Sequence, residues 1–255
     1  MLLVADVGNT NTKIGVFEGA RLRAAWTLTS RREQTADEYG TFIETLLRTR
    51  GLGPQDITGI AISNVVPPLQ RSLEEMAERH FGVTPLFVTP EVARMLPLNV
   101  DAPHEVGPDR IVAAVAARAL YGCPVIVVDL GTATRFDCVS ARGEFIGGAI
   151  APGLAISVDA LLTRAARLYR VELVRPKEAI GRNTVTNIQS GVIYGWAGLV
   201  DGLVSRLAAE MHGEPTVVAT GGLAPLIAEA SRTIQHVNPD LKLEGLRRVW
   251  EDVVG

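Results

Sequence analysis

Asp129-Leu-Gly-Thr-Ala-Thr-Arg-Phe-Asp137 is the stretch on which the fold of this chain turns. It follows Val125–Val128, an apolar β-branched run that predicts a buried strand. The strand ends at Asp129, the chain turns at Gly131, and a second strand starts at Phe136. A carboxylate, a glycine turn and hydroxyls at a strand end have a chemical use. Glycine lets backbone N–H groups approach a phosphate, and the hydroxyls add donors. The carboxylate suits a metal ion or its water shell. The same device opens the chain as Asp6-Val-Gly-Asn-Thr-Asn-Thr-Lys13, behind the apolar run Leu2–Ala5. Two Asp-x-Gly turns, each between two strands, predict two related halves facing one nucleotide.

Outward from these turns the pattern is strand–strand–strand–helix–strand–helix, and then again. Leu2–Val7, Lys13–Phe17 and Leu22–Leu28 read as strands, separated by Gly8 and Gly19. Thr35-x-x-Glu38 is a capping box ahead of an apolar helical face at Tyr39, Phe42, Leu46 and Leu47. Ile57–Ile62 is a strand running into Ser63-Asn-Val-Val-Pro-Pro68, and a helix follows to about His80. Glu91 to Val106 is irregular and reads as an ordered loop over a site. Gly107-Pro-Asp-Arg110 opens an alanine-rich helix ending near Gly122. Beyond the central strand pair come a strand at Glu144–Ile150 and a helix from Pro152-Gly153 through Leu168. A long helix covers Thr186 to Met211, with Gly191, Gly195, Gly198 and Gly202 on one face. That stripe predicts close approach, either to the chain's own sheet or to a second subunit. Thr216–Ala219 is a strand that enters Thr220-Gly-Gly222 and a helix through Ser231. The whole predicts α/β with mixed sheets in two lobes, residues 1–118 and 119–255.

Composition narrows the partners. The 255 residues are 47% hydrophobic and 21% charged, enough for a substantial core. A net charge of −3 without a basic block argues against nucleic acid. The first apolar run meets Asp6 too early for a signal peptide. No uninterrupted apolar stretch is of bilayer length, so no membrane partner and a cytoplasmic location are expected. Cys123 and Cys138 read as buried, reduced thiols. The histidines, His80, His104, His212 and His236, have no metal or triad spacing, and only His104 lies near the motif at Gly107.

One Asp-x-Gly-x-Thr turn is a weak signal, because Asp and Gly are common turn residues. Two behind buried strands, with Thr220-Gly-Gly222 later, are far more specific. That set resembles the sugar kinase, Hsp70 and actin superfamily. The resemblance implies two ribonuclease H-like lobes, each a mixed sheet flanked by helices, with the nucleotide in the cleft between them. It narrows at Gly107–Arg110 to the type III pantothenate kinases, which phosphorylate pantothenate at the first step of coenzyme A synthesis. Matching pieces are Asp6–Lys13, Ser63-Asn-Val-Val-Pro67, Gly107–Arg110, Asp129–Thr134, Gly147-Gly-Ala-Ile-Ala-Pro-Gly153, Gly181-Arg-Asn-Thr184 and Thr220–Gly222, in order along the chain.

Carried over residue by residue, the resemblance implies that Asp6, Val7, Gly8, Asn9, Thr10, Asn11, Thr12, Lys13 and Thr132 bind ATP. Gly107, Pro108, Asp109 and Arg110 bind pantothenate, with Asp109 the proton acceptor. Asp129 holds a monovalent cation, K⁺ or NH₄⁺. Thr184 reaches pantothenate in the neighbouring subunit of a homodimer. The chemistry is coherent with this. Asp6 suits the water shell of Mg²⁺, Asp109 can act as a general base, and the planar fork of Arg110 matches a carboxylate. Taken alone, Asp109 could simply satisfy a helix N-terminus. Two positions depart from the family. Val100 stands, by spacing from Pro103, where a tyrosine usually precedes Gly-x-Asp-Arg. Arg135 replaces the last threonine of Asp-Phe-Gly-Thr-Ala-Thr-Thr. The competing functions are a kinase of another small hydroxyl compound and a nucleotide-binding regulatory relative with weak or no catalysis.

Overall fold

The two Asp-x-Gly stretches fold the same way twice. In a computed structural model, which describes residues 1–165 and 168–255, β1 (Leu2–Val7) pairs antiparallel with β2 (Asn11–Glu18) and parallel with β4 (Gly59–Asn64). With β3 (Arg21–Thr29) and β5 (Leu86–Phe87) the order is β3-β2-β1-β4-β5. The second sheet repeats this as β8-β7-β6-β9-β10. There β6 (Val125–Leu130) lies between antiparallel β7 (Ala133–Val139) and parallel β9 (Thr216–Thr220), flanked by β8 (Phe145–Pro152) and β10 (His236–Val237). The expected α/β class with two similar lobes is the class observed. Every residue of β6 is buried, which is why its sequence is a continuous apolar run rather than an alternation.

The first unit comprises Met1–Leu96, Asp101–Ala116 and Leu241–Gly255. Its helix α1 (Ala36–Arg48) starts at the expected capping box. The Glu38 amide donates to Thr35 Oγ1 at 3.2 Å, and the Thr35 amide donates to Glu38 Oε2 at 2.8 Å. Helix α2 (Gln70–Met76) runs on through a π turn, Ala77–Phe81, and stops at Gly82, where φ is 67°. Tyr39, Ile43, Leu47, Leu69, Leu73 and Met76 seal one side of β1. Helix α3 (Pro108–Tyr121) follows the Gly107 turn.

Helix α7 (Leu241–Val254) corrects the lobe boundary, because the sequence reading placed it with the second lobe. Leu241, Leu243, Leu246 and Val249 are fully buried in the first unit. A β-carbon at Gly245 would stand 1.9 Å from the Val112 carbonyl oxygen, so α7 meets the backbone of α3. On β4, a β-carbon at Gly59 would stand 2.3 Å from the Trp250 ring. No local pattern announces such long-range contacts.

The second unit comprises Pro97–Val100 and Ala117–Asp240. Helices α4 (Leu154–Arg164), α5 (Thr184–Glu210) and α6 (Ala224–Ala228) cover its sheet. The helix expected through Leu168 ends at Arg164, and residues 166–167 lie outside the described residues. Leu154, Val158, Ile193, Val200, Val204 and Ile227 pack on Ile126, Val128, Leu130 and Phe136. Contrary to the expectation from sequence, α5 is long and apolar enough to cross a bilayer by length and composition alone. Of that apolar window 28% is buried, and Ile188, Ile193, Ala197, Val200 and Val204 form its buried face. Cys138 is buried as expected, but Cys123 is exposed, in the turn that leads into β6.

Candidate active site

In the first unit the acid of the opening motif sits at the carboxyl end of β1. Asp6 is 5% exposed. In register with it stand Lys13 on antiparallel β2 and Ser63 on parallel β4. Lys242 Nζ, from the first turn of α7, lies 2.7 Å from Asp6 Oδ2. Beyond Asp6 the Gly8 amide donates to the Asn11 carbonyl at 3.0 Å and closes the turn. Asn9, Thr10 and Asn11 are exposed there. An exposed glycine turn beside a buried carboxylate is suited to a phosphate.

The motif therefore divides between a turn and a strand, since β2 begins at Asn11. Thr12 departs from the sequence reading. Its hydroxyl is buried, 2.8 Å from Ser30 Oγ and 3.4 Å from the Tyr39 hydroxyl. Strand alternation turns it into the core, so its side chain braces the turn from behind rather than facing a ligand. Burial pushes the Tyr39 phenol up, against the lowering effect of the Thr12 hydrogen bond.

The Gly107 motif meets the same edge of this sheet. The Val65 amide donates to the Val7 carbonyl at 3.1 Å, and a β-carbon at Gly107 would stand 4.0 Å from Val65 Cγ1. Asn64 shapes the loop between, accepting the Val66 amide at 2.9 Å. The Gly107 carbonyl accepts the Arg110 and Ile111 amides at 3.0 and 3.2 Å and starts α3. That start holds Asp109 at 6% exposure beside Gly107, with Arg110 half-buried. The ends of parallel strands β1 and β4 thus carry both the phosphate turn and the candidate base, the usual place for a ligand in an α/β sheet.

The second unit repeats the arrangement. Asp129 is 3% exposed at the end of β6. In register with it stand Arg135 on antiparallel β7 and Thr220 on parallel β9. Arg135 Nη2 lies 2.6 Å from Asp129 Oδ2. The Gly131 amide closes the turn on the Ala133 carbonyl at 3.1 Å. Two other motifs converge here. A β-carbon at Gly153 would stand 2.1 Å from the Thr132 carbonyl oxygen, and one at Gly221 would stand 2.8 Å from Asp129 Oδ1. Only glycine permits these approaches. Thr134, buried behind the turn, accepts the Trp196 indole N–H at 3.0 Å.

Val100 belongs to the second unit, where its Cγ1 would lie 3.8 Å from a β-carbon at Gly147. Thr184 is exposed in the first turn of α5 and lines a cavity of about 540 Å³ with Ser157, Leu161, Asn187 and Trp196. His104 is exposed in a single 3₁₀ turn. Among the described residues no cluster of His, Cys, Asp or Glu forms a metal centre. Sequence reasoning missed Lys242, which reaches Asp6 from the far end of the chain and carries no motif. It noticed Arg135 only as a departure. A signal was present, because a basic residue follows each acid, Lys13 seven positions after Asp6 and Arg135 six after Asp129.

Two sheets of this order, each with an acid and a glycine turn at the end of its central strand, define the sugar kinase, Hsp70 and actin fold. Solved structures of similar fold include a conserved Campylobacter jejuni protein described as a Baf family transcriptional activator. It is 21% identical with a TM-score of 0.61, covering 98% of each chain. An inorganic polyphosphate/ATP-glucomannokinase from Arthrobacter sp. strain KM is 14% identical with a TM-score of 0.53, covering 99% of this chain and 97% of that one. The family model for type III pantothenate kinase matches residues 2–206. The type III pantothenate kinase of Anaeromyxobacter sp. (strain Fw109-5) is 52% identical over 251 residues, 98% of this chain and 99% of that one. The chain belongs to the type III pantothenate kinase family.

Proposed function

We propose that this kinase transfers the γ-phosphoryl group of Mg²⁺-bound ATP to the hydroxyl of pantothenate, with Asp109 as general base. The observation that supports the reading is that Gly107, which leads into Asp109 and Arg110, lies beside Val65, whose amide bonds Val7 where β1 enters the Gly8 turn. Phosphoryl transfer asks mainly for positioning and charge stabilisation. The Gly8–Asn11 turn, Lys13 and Lys242 supply N–H groups and positive charge for phosphate oxygens, and the family resemblance gives Thr132 a part in nucleotide binding. Asp6 suits outer-sphere contact with Mg²⁺ that arrives with the nucleotide. Lys242, a flexible point charge, can pass from Asp6 to a phosphate oxygen. Asp109 takes the proton of the acceptor hydroxyl as its oxygen attacks phosphorus and ADP departs. Gly107 and Pro108 shape the turn that presents Asp109, and Arg110 clamps the pantothenate carboxylate. The family resemblance gives Val100 and Thr184 a part in pantothenate binding, Thr184 from a second copy.

The monovalent cation implied at Asp129 is a different matter. Its Oδ2 is held by Arg135, so the residues present do not fit a K⁺ ion on that carboxylate while the pair stands. The homodimer reading gains support from the glycine stripe. Among the described residues outside the helix's own backbone, no atom lies within 4 Å of a β-carbon placed at Gly191, Gly195 or Gly198, so packing on the chain's own sheet does not account for them. A second copy of α5 does. A cytoplasmic location accords with coenzyme A synthesis. An ADP-release assay with pantothenate, ATP and Mg²⁺ tests the function. ADP release that does not depend on pantothenate would refute it.

A further inference from the structure

We infer that Arg135 is a built-in cation that replaces a bound monovalent ion at the second phosphate turn, so that nucleotide binding and turnover do not depend on K⁺ or NH₄⁺. The inference rests on the proposed kinase reading for its substrate but on the structure for its charge. Asp129 and Arg135 are directly opposed in the β6–β7 ladder, which puts both side chains on one face of the sheet. The carboxylate side chain is 4% exposed and the guanidinium side chain 19%. Asp129 Oδ2 takes the guanidinium at 2.6 Å, and its Oδ1 faces Gly221 and Gly131, where β-carbons would stand 2.8 and 3.4 Å away. The acid is thus enclosed by the turns on one side and a fixed positive charge on the other. A second cation on this carboxylate would meet that charge at short range.

The first unit supplies an internal control for this assignment. Asp6 has Lys13 opposite on β2 and Ser63 beside it on β4, as Asp129 has Arg135 and Thr220. The fold therefore places a basic side chain across from the acid at both phosphate turns. In the second unit the geometry is that of a made ion pair, with Arg135 Nη2 2.6 Å from Asp129 Oδ2.

The test compares the native protein with Arg135→Thr, Arg135→Gln and Arg135→Lys in KCl and in choline chloride. Three quantities are read: ADP affinity by calorimetry, melting temperature, and pantothenate-dependent ADP release. Native protein and Arg135→Lys are expected to give the same values in both salts, within about twofold for affinity and rate. Loss of the cation in Arg135→Thr or Arg135→Gln exposes a buried acid, so affinity should become roughly tenfold or more better in KCl than in choline. Melting temperature in those variants should rise with K⁺. Native protein that binds ADP or turns over about tenfold better in KCl would overturn the inference, whether or not any variant folds. Neutral variants that fold but ignore K⁺ would also overturn it. If no preparation releases ADP with pantothenate, the kinase reading fails, while ADP affinity and melting still decide the role of Arg135.

Discussion

Replacing Asp109 by asparagine separates chemistry from structure at the point where the two readings of this residue diverge. The side chain is 6% exposed in the first turn of the 14-residue helix α3. Asparagine keeps its shape and is itself tolerated at helix starts. What is lost structurally is one negative charge at a helix N-terminus, worth about 0.3–1 kcal/mol and up to ~2 in partly buried geometry. For a chain of this size that lowers the melting temperature by roughly 2–4 °C per kcal/mol. What is lost chemically, if the carboxylate takes the hydroxyl proton, is on the order of 10²–10⁴ in turnover, or about 2.7–5.4 kcal/mol. The two ranges do not overlap, so one preparation decides. Melting temperature, ATP affinity and steady-state ADP release should be measured together. The expected outcome is a small loss of melting temperature, unchanged ATP affinity and a collapse of turnover. Near-normal turnover in a folded, ATP-binding Asp109→Asn protein would remove Asp109 from the mechanism.

Gly245→Ala forces a methyl group into the Val112 carbonyl at the α7–α3 crossing, an overpacking that should cost about 1–3 kcal/mol. Because Lys242 rides on the same helix, the Michaelis constant for ATP should rise as the melting temperature falls, and an unchanged value of both would refute the close contact. Asp201 accepts hydrogen bonds from the Ser231 hydroxyl, the Arg232 amide and the Thr233 amide and hydroxyl. Burial pushes its carboxyl up, but these bonds outweigh it and hold the group below the usual range. A depressed carboxylate stabilises the fold above its unfolded value of about 3.9 and loses that contribution as pH falls through the folded value. The melting difference between native protein and Asp201→Asn should be full near neutrality and should close in the acid range below about pH 4; a gap independent of pH counts against it. Light scattering should report a dimer at working concentrations, and Gly195→Glu on the unpacked face of α5 should shift it to monomer; a native protein that is monomeric throughout would refute the interface.

Most of this architecture is written locally. The buried runs before Asp6 and Asp129, the capping box at Thr35 and Glu38, and the glycine turns each fix an element through neighbours in sequence. The reading faltered where distant residues decide. Helix α7 looks like any closing amphipathic helix, and its contacts with Gly15 on β2 and Gly59 on β4 show, once folded, that its place is on the first sheet. For the same reason Lys242 was invisible as a partner of Asp6. The burial of the Thr12 hydroxyl was not legible because the motif was treated as all loop. Once β2 starts at Asn11, alternation sends every second side chain to the other face.

Strand register, more than any single residue, sets the charge of the site. An acid about 5% exposed or less is stable as an anion only with a cation and hydrogen bonds close by. In both units the antiparallel neighbour brings a basic residue opposite the acid, and the parallel neighbour brings a hydroxyl alongside. A slip of one residue between β6 and β7 would set Phe136 or Thr134 opposite Asp129 and send the guanidinium to the other face. Such a slip is opposed on both sides of Arg135. Phe136 is fully buried in the core on the face opposite Arg135, and Thr134 is tied to Trp196. The packing that gives the second sheet its register is therefore also what aims Arg135 at the phosphate turn. A mutation that loosens that packing, Trp196→Ala for example, bears on the nucleotide site through charge placement, without touching a ligand.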